Sequence, residues 1–215
     1  SGGSCTVSSR LCCCGSCWDV GIGIDSGLPD FRGPQGFWGV YPGLKAAGLQ
    51  FQEVASPAAF HSLPETAWGF YGHRLNLYRA TTPHAGFALL RRWMAAKPEG
   101  GGVFTSNVDG QFHKAGFDAA RIVECHGTLH RLQCLAGCSD ATWPADGFEP
   151  QVDEANCRLV SPLPRCPHCG ALARPNVLMF GDYGWSGDRH DAARDRLDDW
   201  LATTRKPVVI EIGAG

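Results

Sequence analysis

Two short cysteine hooks constrain this chain of 215 residues more than any other feature. Cys134 and Cys138 stand in CLAGC, and Cys166 and Cys169 in CPHC, with the residues from Ser139 to Arg165 between them. A zinc ion takes four thiolates in a tetrahedron, and each hook offers two of them on a tight turn. Holding one ion would close the intervening segment into a small module. With four thiolates the ion is fully coordinated, so its role is structural and it activates no water. The first hook is one residue wider than CxxC and the insert is long, which leaves disulfide pairing, or a ligand from Cys157 or His168, as a second reading.

The remaining cysteines argue separately. Cys5, Cys12, Cys13, Cys14 and Cys17 crowd a head rich in Ser and Gly that shows little periodicity through about residue 20. No charged segment followed by an apolar stretch opens the chain, so the expected compartment is reducing and cytoplasmic rather than secretory. A make-up of 44% hydrophobic and 19% charged residues is that of a soluble domain, long enough for one core and an appended module. The net charge of -2 offers no basic face to a phosphate backbone, so nucleic acid is not an expected direct partner. No run reaches the ~18 apolar residues that a membrane-spanning helix needs.

Thr105 to His130 is the richest stretch chemically. GVFTSN and RIVEC read as buried strands, each passing polar side chains to a loop at its end. In an open α/β sheet, ligands sit at such strand ends. Upstream, GIGIDSGLPDFRG offers glycines that let the backbone approach a pyrophosphate, with Arg32 as a nearby cation. From Ser56 to Lys97 the pattern is helical: SPAAF supplies a cap and a first-turn proline, WGFYGHRLNLYR has apolar residues three and four apart, and Pro83 precedes HAGFALLRRWMA. These helices are expected to cover a cofactor crevice. Downstream, ARPNVLMFGDYGW reads as a buried strand whose edge could accept an extended peptide. GDRHDAARDRLDDWLATTR reads as a charged amphipathic helix, and PVVIEIG as a final parallel strand. The chain starts without Met and stops just after that strand, which reads as a truncation.

Taken in order, GIGIDSGLPDFRG, TSNVDGQFHKAG, ECHG, the paired cysteines, RPNVLMFGD and VVIEIGAG resemble the signature blocks of the sirtuins, NAD-dependent protein lysine deacylases. The resemblance spans about Gly21 to Gly215. It implies an α/β fold in which a Rossmann-like parallel-sheet NAD domain (21–129 and 176–215) carries a small inserted zinc-binding module (130–175). The head (1–20) is expected to stand outside that fold. Acyl-lysine proteins or peptides would enter between the two parts as an added strand.

Residue by residue, the resemblance places His126 as the catalytic base that deprotonates a ribose hydroxyl after nicotinamide has left. It places Asn107 beside the reacting ribose and Asp109 on the nicotinamide carboxamide. Gly21, Phe31, Arg32, Ser106 and Gly213 join them as cofactor-binding residues. Val177, Phe180 and Gly181 would pair with substrate backbone. Tyr71 and Arg74 resemble the Tyr-x-x-Arg pair of sirtuins that remove negatively charged acyl groups, although both also fit a helix surface. The implied products are nicotinamide and O-acyl-ADP-ribose, the implied cofactors NAD and a structural zinc ion. Mono-ADP-ribosyl transfer and a non-catalytic NAD-binding module are the competing functions.

Five positions depart from the family pattern. Ser106 stands in place of the usual Gln, Asp182 in place of Glu, and Gly215 in place of the Ser that closes the last turn. Asp19 and Val20 fall where a GAG turn belongs, and a carboxylate facing pyrophosphate is electrostatically unfavourable.

Overall fold

The computed structural model describes residues 22–29 and 39–213. The head, Gly21, Phe31, Arg32 and Gly215 lie outside the described residues, so the expectations placed on them are carried no further.

After a 3₁₀ turn at Ile22–Ser26, the described residues before the first strand include the helices α1 (Pro42–Ala46), α2 (Phe51–Val54), α3 (Pro57–Ser62), α4 (Pro64–Ala80) and α5 (Ala85–Ala95). Proline opens α1, α3 and α4, where its missing N–H is no loss because that amide has no partner within the helix. Ser56 Oγ accepts the Ala59 amide at 3.3 Å and His84 Nδ1 that of Gly86 at 3.0 Å, so α3 and α5 begin where the sequence predicted.

The chain then forms β1 (Val103–Thr105), the short α6 (Gln111–Lys114) and β2 (Ile122–Glu124), with β1 and β2 parallel and Val103 opposite Ile122. Alternation along β2 divides the apolar side chains between two faces. Ile122 joins Val103, Phe87 and Phe117 beneath α5, while Val123 packs against Ala193 and Leu197 of α7 (Asp188–Thr203). Helices thus cover both faces of the parallel pair.

Between β2 and α7 lies an antiparallel body. β3 (Gly127–Cys134) pairs with β4 (Thr142–Pro144), β5 (Val152–Asp153) and β6 (Arg158–Leu159) make a small hairpin, and β7 (Ala173–Val177) returns along the other side of β3. The sheet therefore runs slightly past both ends of the predicted module. Gly127 can take no side chain here: its φ is 75°, and a Cβ would lie 2.1 Å from the Asn176 carbonyl oxygen.

α4 docks on this body. Trp68, Phe70, Tyr71, Leu75 and Tyr78 are all buried, and Trp68 Nε1 donates to the Ala173 carbonyl at 2.9 Å. At Gly69 the helix meets the Cys157 carbonyl so closely that a Cβ would lie 2.2 Å from it. The single helical cover expected from Ser56 to Lys97 is thus divided: α4 packs on the antiparallel body and α5 on the parallel pair.

One predicted element does not form. The residues of PVVIEIG pair with no described strand, and Val208, Val209, Ile210 and Ile212 are exposed. Apolar composition favours a buried strand only where a neighbouring strand supplies ladder hydrogen bonds, and this segment has none among the described residues. No helix among the described residues is long and apolar enough to cross a membrane.

Candidate functional site

Because β1 and β2 are parallel, both end at the same edge. There β1 releases Ser106 and Asn107, and β2 releases Cys125 and His126. The Cys125 amide donates to the Thr105 carbonyl at 2.9 Å, extending the ladder by one residue. The Asn107 amide bonds Thr105 Oγ1 at 3.1 Å, and the Leu129 amide bonds the Val108 carbonyl at 3.0 Å, so the loop after β1 is held against the start of β3. The His126 carbonyl in turn accepts from the Leu178 amide at 3.0 Å. Two loops and the exit from β7 are therefore fastened around Ser106, Asn107 and His126, which stay half-buried and within reach of a ligand.

Asp109 is deeper, at 6% exposure. Burial pushes its carboxyl above the usual range, while the Gln111 amide, bonded to Oδ1 at 2.9 Å, works in the opposite direction. A Cβ on Gly23 would come within 3.0 Å of Asp109 Oδ2, so the start of the glycine-rich segment abuts this carboxylate. Gly213 lies in the unpaired, exposed segment after α7.

Tyr71 and Arg74 do not lie on a helix surface. Tyr71 is 2% exposed, stacked on Phe60, and burial pushes its phenol well up, so it stays neutral. The guanidinium of Arg74 lies over the rings of Phe70, Tyr71 and Tyr78, and its Nε and Nη2 donate to Tyr78 Oη at 2.9 and 2.6 Å. Tyr78, one helical turn further on, is a partner that the Tyr-x-x-Arg reading missed; its i,i+4 spacing from Arg74 was the available signal.

Val177 ends β7, the edge strand of the antiparallel sheet, and pairs with Gly127. Beyond it, the Phe180 amide bonds the Ala55 carbonyl at 3.0 Å and the Phe180 ring meets Phe51 edge-on. Asp182 is more than a shortened Glu. Its carboxylate takes two donors from Arg174, at 2.5 and 2.9 Å, and both side chains are almost fully buried. Asp182 also accepts the amides of Met179 and Gly184, which ties the loop after Gly181 to β7. Next to this pair, Asn176 Nδ2 donates to Gln133 Oε1 and to the Ser186 carbonyl. The composition of RPNV gave no hint of this buried polar lock.

At the far end of the antiparallel sheet the sulfurs of Cys134, Cys138, Cys166 and Cys169 all lie within 4.8 Å of one another, with Cys134 to Cys169 and Cys138 to Cys166 both 3.6 Å apart. Zinc–sulfur bonds of about 2.3 Å require sulfur separations of about 3.8 Å in a tetrahedron. The four thiols are free, so the quartet fits a structural zinc ion and not two disulfides. Cys157 stays outside the quartet; it is buried in the main core, where desolvation pushes its thiol up to about 12.

The family model described as the Sir2 family matches residues 19–198. An NAD-dependent protein deacylase of Pyrococcus furiosus is 33% identical over 166 residues, covering 76% of this chain and 58% of that protein. The mitochondrial NAD-dependent protein deacylase sirtuin-5 of Danio rerio is 32% identical over 178 residues, covering 76% of this chain and 55% of that protein. Among solved structures, a mutant Sir2 homologue in complex with 2'-O-acetyl ADP ribose superposes with a TM-score of 0.60 at 28% identity, covering 83% of this chain and 62% of that one. The chain thus spans a little over half the length of the curated relatives it matches.

Proposed function

From the premise that this chain belongs to the Sir2 family, with its Rossmann-like α/β fold and zinc module, we propose that it carries the catalytic half of an NAD-dependent protein lysine deacylase. One observation supports this reading most: the parallel strands bring Asn107 and His126 to one edge, with Asp109 buried behind them against the glycine-rich segment. When bound, NAD would supply the ribose that accepts the acyl group: acyl-lysine, NAD and one water would give free lysine, nicotinamide and O-acyl-ADP-ribose.

The side chains divide that work. Asp109 accepts the carboxamide of nicotinamide. Asn107 and Ser106 orient the ribose, the shorter Ser106 reaching less far than the family's Gln. His126 takes the proton from a ribose hydroxyl, and a positioned base of this kind contributes about 10²–10⁴ in rate. The acyl-lysine peptide adds as a strand beside Val177, Phe180 and Gly181, held in place by the Arg174–Asp182 lock. Residues 21–129 and 176–215 form the NAD-binding part, and 130–175 the zinc module.

The finer assignment concerns the acyl group. Arg74, supported by Tyr78 and flanked by Tyr71, is a cation suited to an acyl chain that ends in a carboxylate, such as succinyl or malonyl.

Mass spectrometry of acetyl- and succinyl-lysine peptides incubated with NAD tests both levels. Loss of the acyl group with O-acyl-ADP-ribose formed is expected, and His126→Ala abolishes it. Unchanged turnover in that variant would refute the assignment, and ADP-ribose gained on protein would favour transfer chemistry instead. Arg74→Met is expected to cost succinyl turnover at least ten-fold more than acetyl turnover; equal losses would sink the acyl-group reading.

A further inference from the structure

A cavity of about 470 Å³, with Asp109 in its lining, opens between the end of α4, α6, the β3–β4 hairpin and the first turn of α7. Arg79, Lys114, Arg131 and Arg189 line it together with Asp109, Glu124 and Asp146. The two signs of charge are not equally committed. Asp109 takes the Gln111 amide, Glu124 lies 3.5 Å from His113 Nε2 and Asp146 is exposed, so four cations face three carboxylates, one of which has a histidine partner.

None of the four cations is ion-paired among the described residues. Arg79 donates to the Phe148 and Ala145 carbonyls, Lys114 to those of Arg79 and Thr81, and Arg131 to the hydroxyl and carbonyl of Thr142. These neutral acceptors hold the side chains in place and leave their charge uncancelled. Arg189 stands in the first turn of α7, beside Asp188 and Asp191 of the same turn. Burial and the nearby Arg189 both push the Arg131 guanidinium down, with Asp146 opposing them, as two like charges facing one space require. His130, whose Nε2 lies 2.9 Å from the Asp109 carbonyl oxygen, forms part of the floor.

We propose that this cavity is an anion site for a small phosphorylated molecule, with Arg131 and Arg189 as its principal donors. Three guanidiniums and an ammonium match the several oxygens of a phosphate group better than a single carboxylate. The volume lies within the range of small-ligand pockets, large enough for a mononucleotide. The cavity shares Asp109 with the candidate cofactor set, but none of its four cations belongs to the candidate catalytic or cofactor residues.

Calorimetric titration with inorganic phosphate, and then with AMP, at constant ionic strength tests it on the wild type, Arg189→Gln, Arg131→Gln and an Arg205→Gln control. Arg205 is exposed and lies outside the cavity. Saturable binding is expected, weakened on the order of ten-fold in each cavity variant and unchanged in the control. Tighter binding of AMP identifies a nucleotide as the ligand, and equal affinities identify the phosphate group alone. Absence of saturable binding, or equal affinity in Arg189→Gln, overturns the proposal. Arg189 makes no hydrogen bond among the described residues, so its variant keeps the fold and decides the matter even if Arg131→Gln, which loses its bonds to Thr142, does not.

Discussion

At one end of the molecule, two tight turns at the ends of β3 and just before β7 bring four sulfurs within 4.8 Å. At the other, Ser106, Asn107, Asp109 and His126 depend on two strands of three residues each, tied mainly by backbone hydrogen bonds between loops. The zinc end is closed by a few strong bonds within one segment. The candidate catalytic edge is assembled from separate stretches. A site that closes locally is secured by few contacts, whereas one built from distant segments needs the whole sheet to hold it.

Removing zinc should have the largest effect, since structural zinc contributes on the order of 10 kcal/mol to folding a small module. Chelation, or Cys138→Ala, is expected to release one equivalent of metal and to strip amide-exchange protection from β3, β4 and β7, while β1, β2 and α5 keep theirs. Protection lost evenly across both ends would break the contrast and make the molecule one cooperative unit.

A smaller but still large loss is expected at the joint between the two ends. Arg174→Ala leaves the buried Asp182 carboxylate unpaired, which costs about 3–5 kcal/mol, whereas replacing both residues with apolar ones recovers most of the stability. Denaturant unfolding of the single and paired variants measures this. A mild effect of the single variant would mean that the lock does not position the strand beside Val177.

The smallest expected change has the opposite sign. Burial holds the Asp109 carboxyl above its usual range, so the folded state binds its proton more readily than the unfolded state does. Stability should therefore increase as the pH falls from neutral through that raised value, and level off below the ordinary carboxylate range. Asp109→Asn should abolish this slope and raise Tm at neutral pH, on the order of 2 °C, while lowering NAD-dependent turnover. A loss of stability at neutral pH would show that the ionised form has a partner worth more than its desolvation penalty.

Read alone, the sequence determined the features that depend on spacing and local chemistry. Cysteine spacing predicted the quartet, Ser56 with Pro57 and then Pro83 predicted the starts of α3 and α5, and strand-end polar residues marked Asn107, Asp109 and His126. Tertiary structure decided what depends on neighbours remote in the chain. It divided the helical run between two bodies, moved the Arg74 contact to Tyr78, showed that Asp182 is buried by Arg174, and gave the apolar PVVIEIG no partner strand among the described residues. It also gathered Arg79, Lys114, Arg131 and Arg189 around one cavity. Spacing can predict a turn or a ligand pair because a few adjacent residues supply the energy, but a buried ion pair, a strand or a pocket exists only where distant residues arrive to complete it.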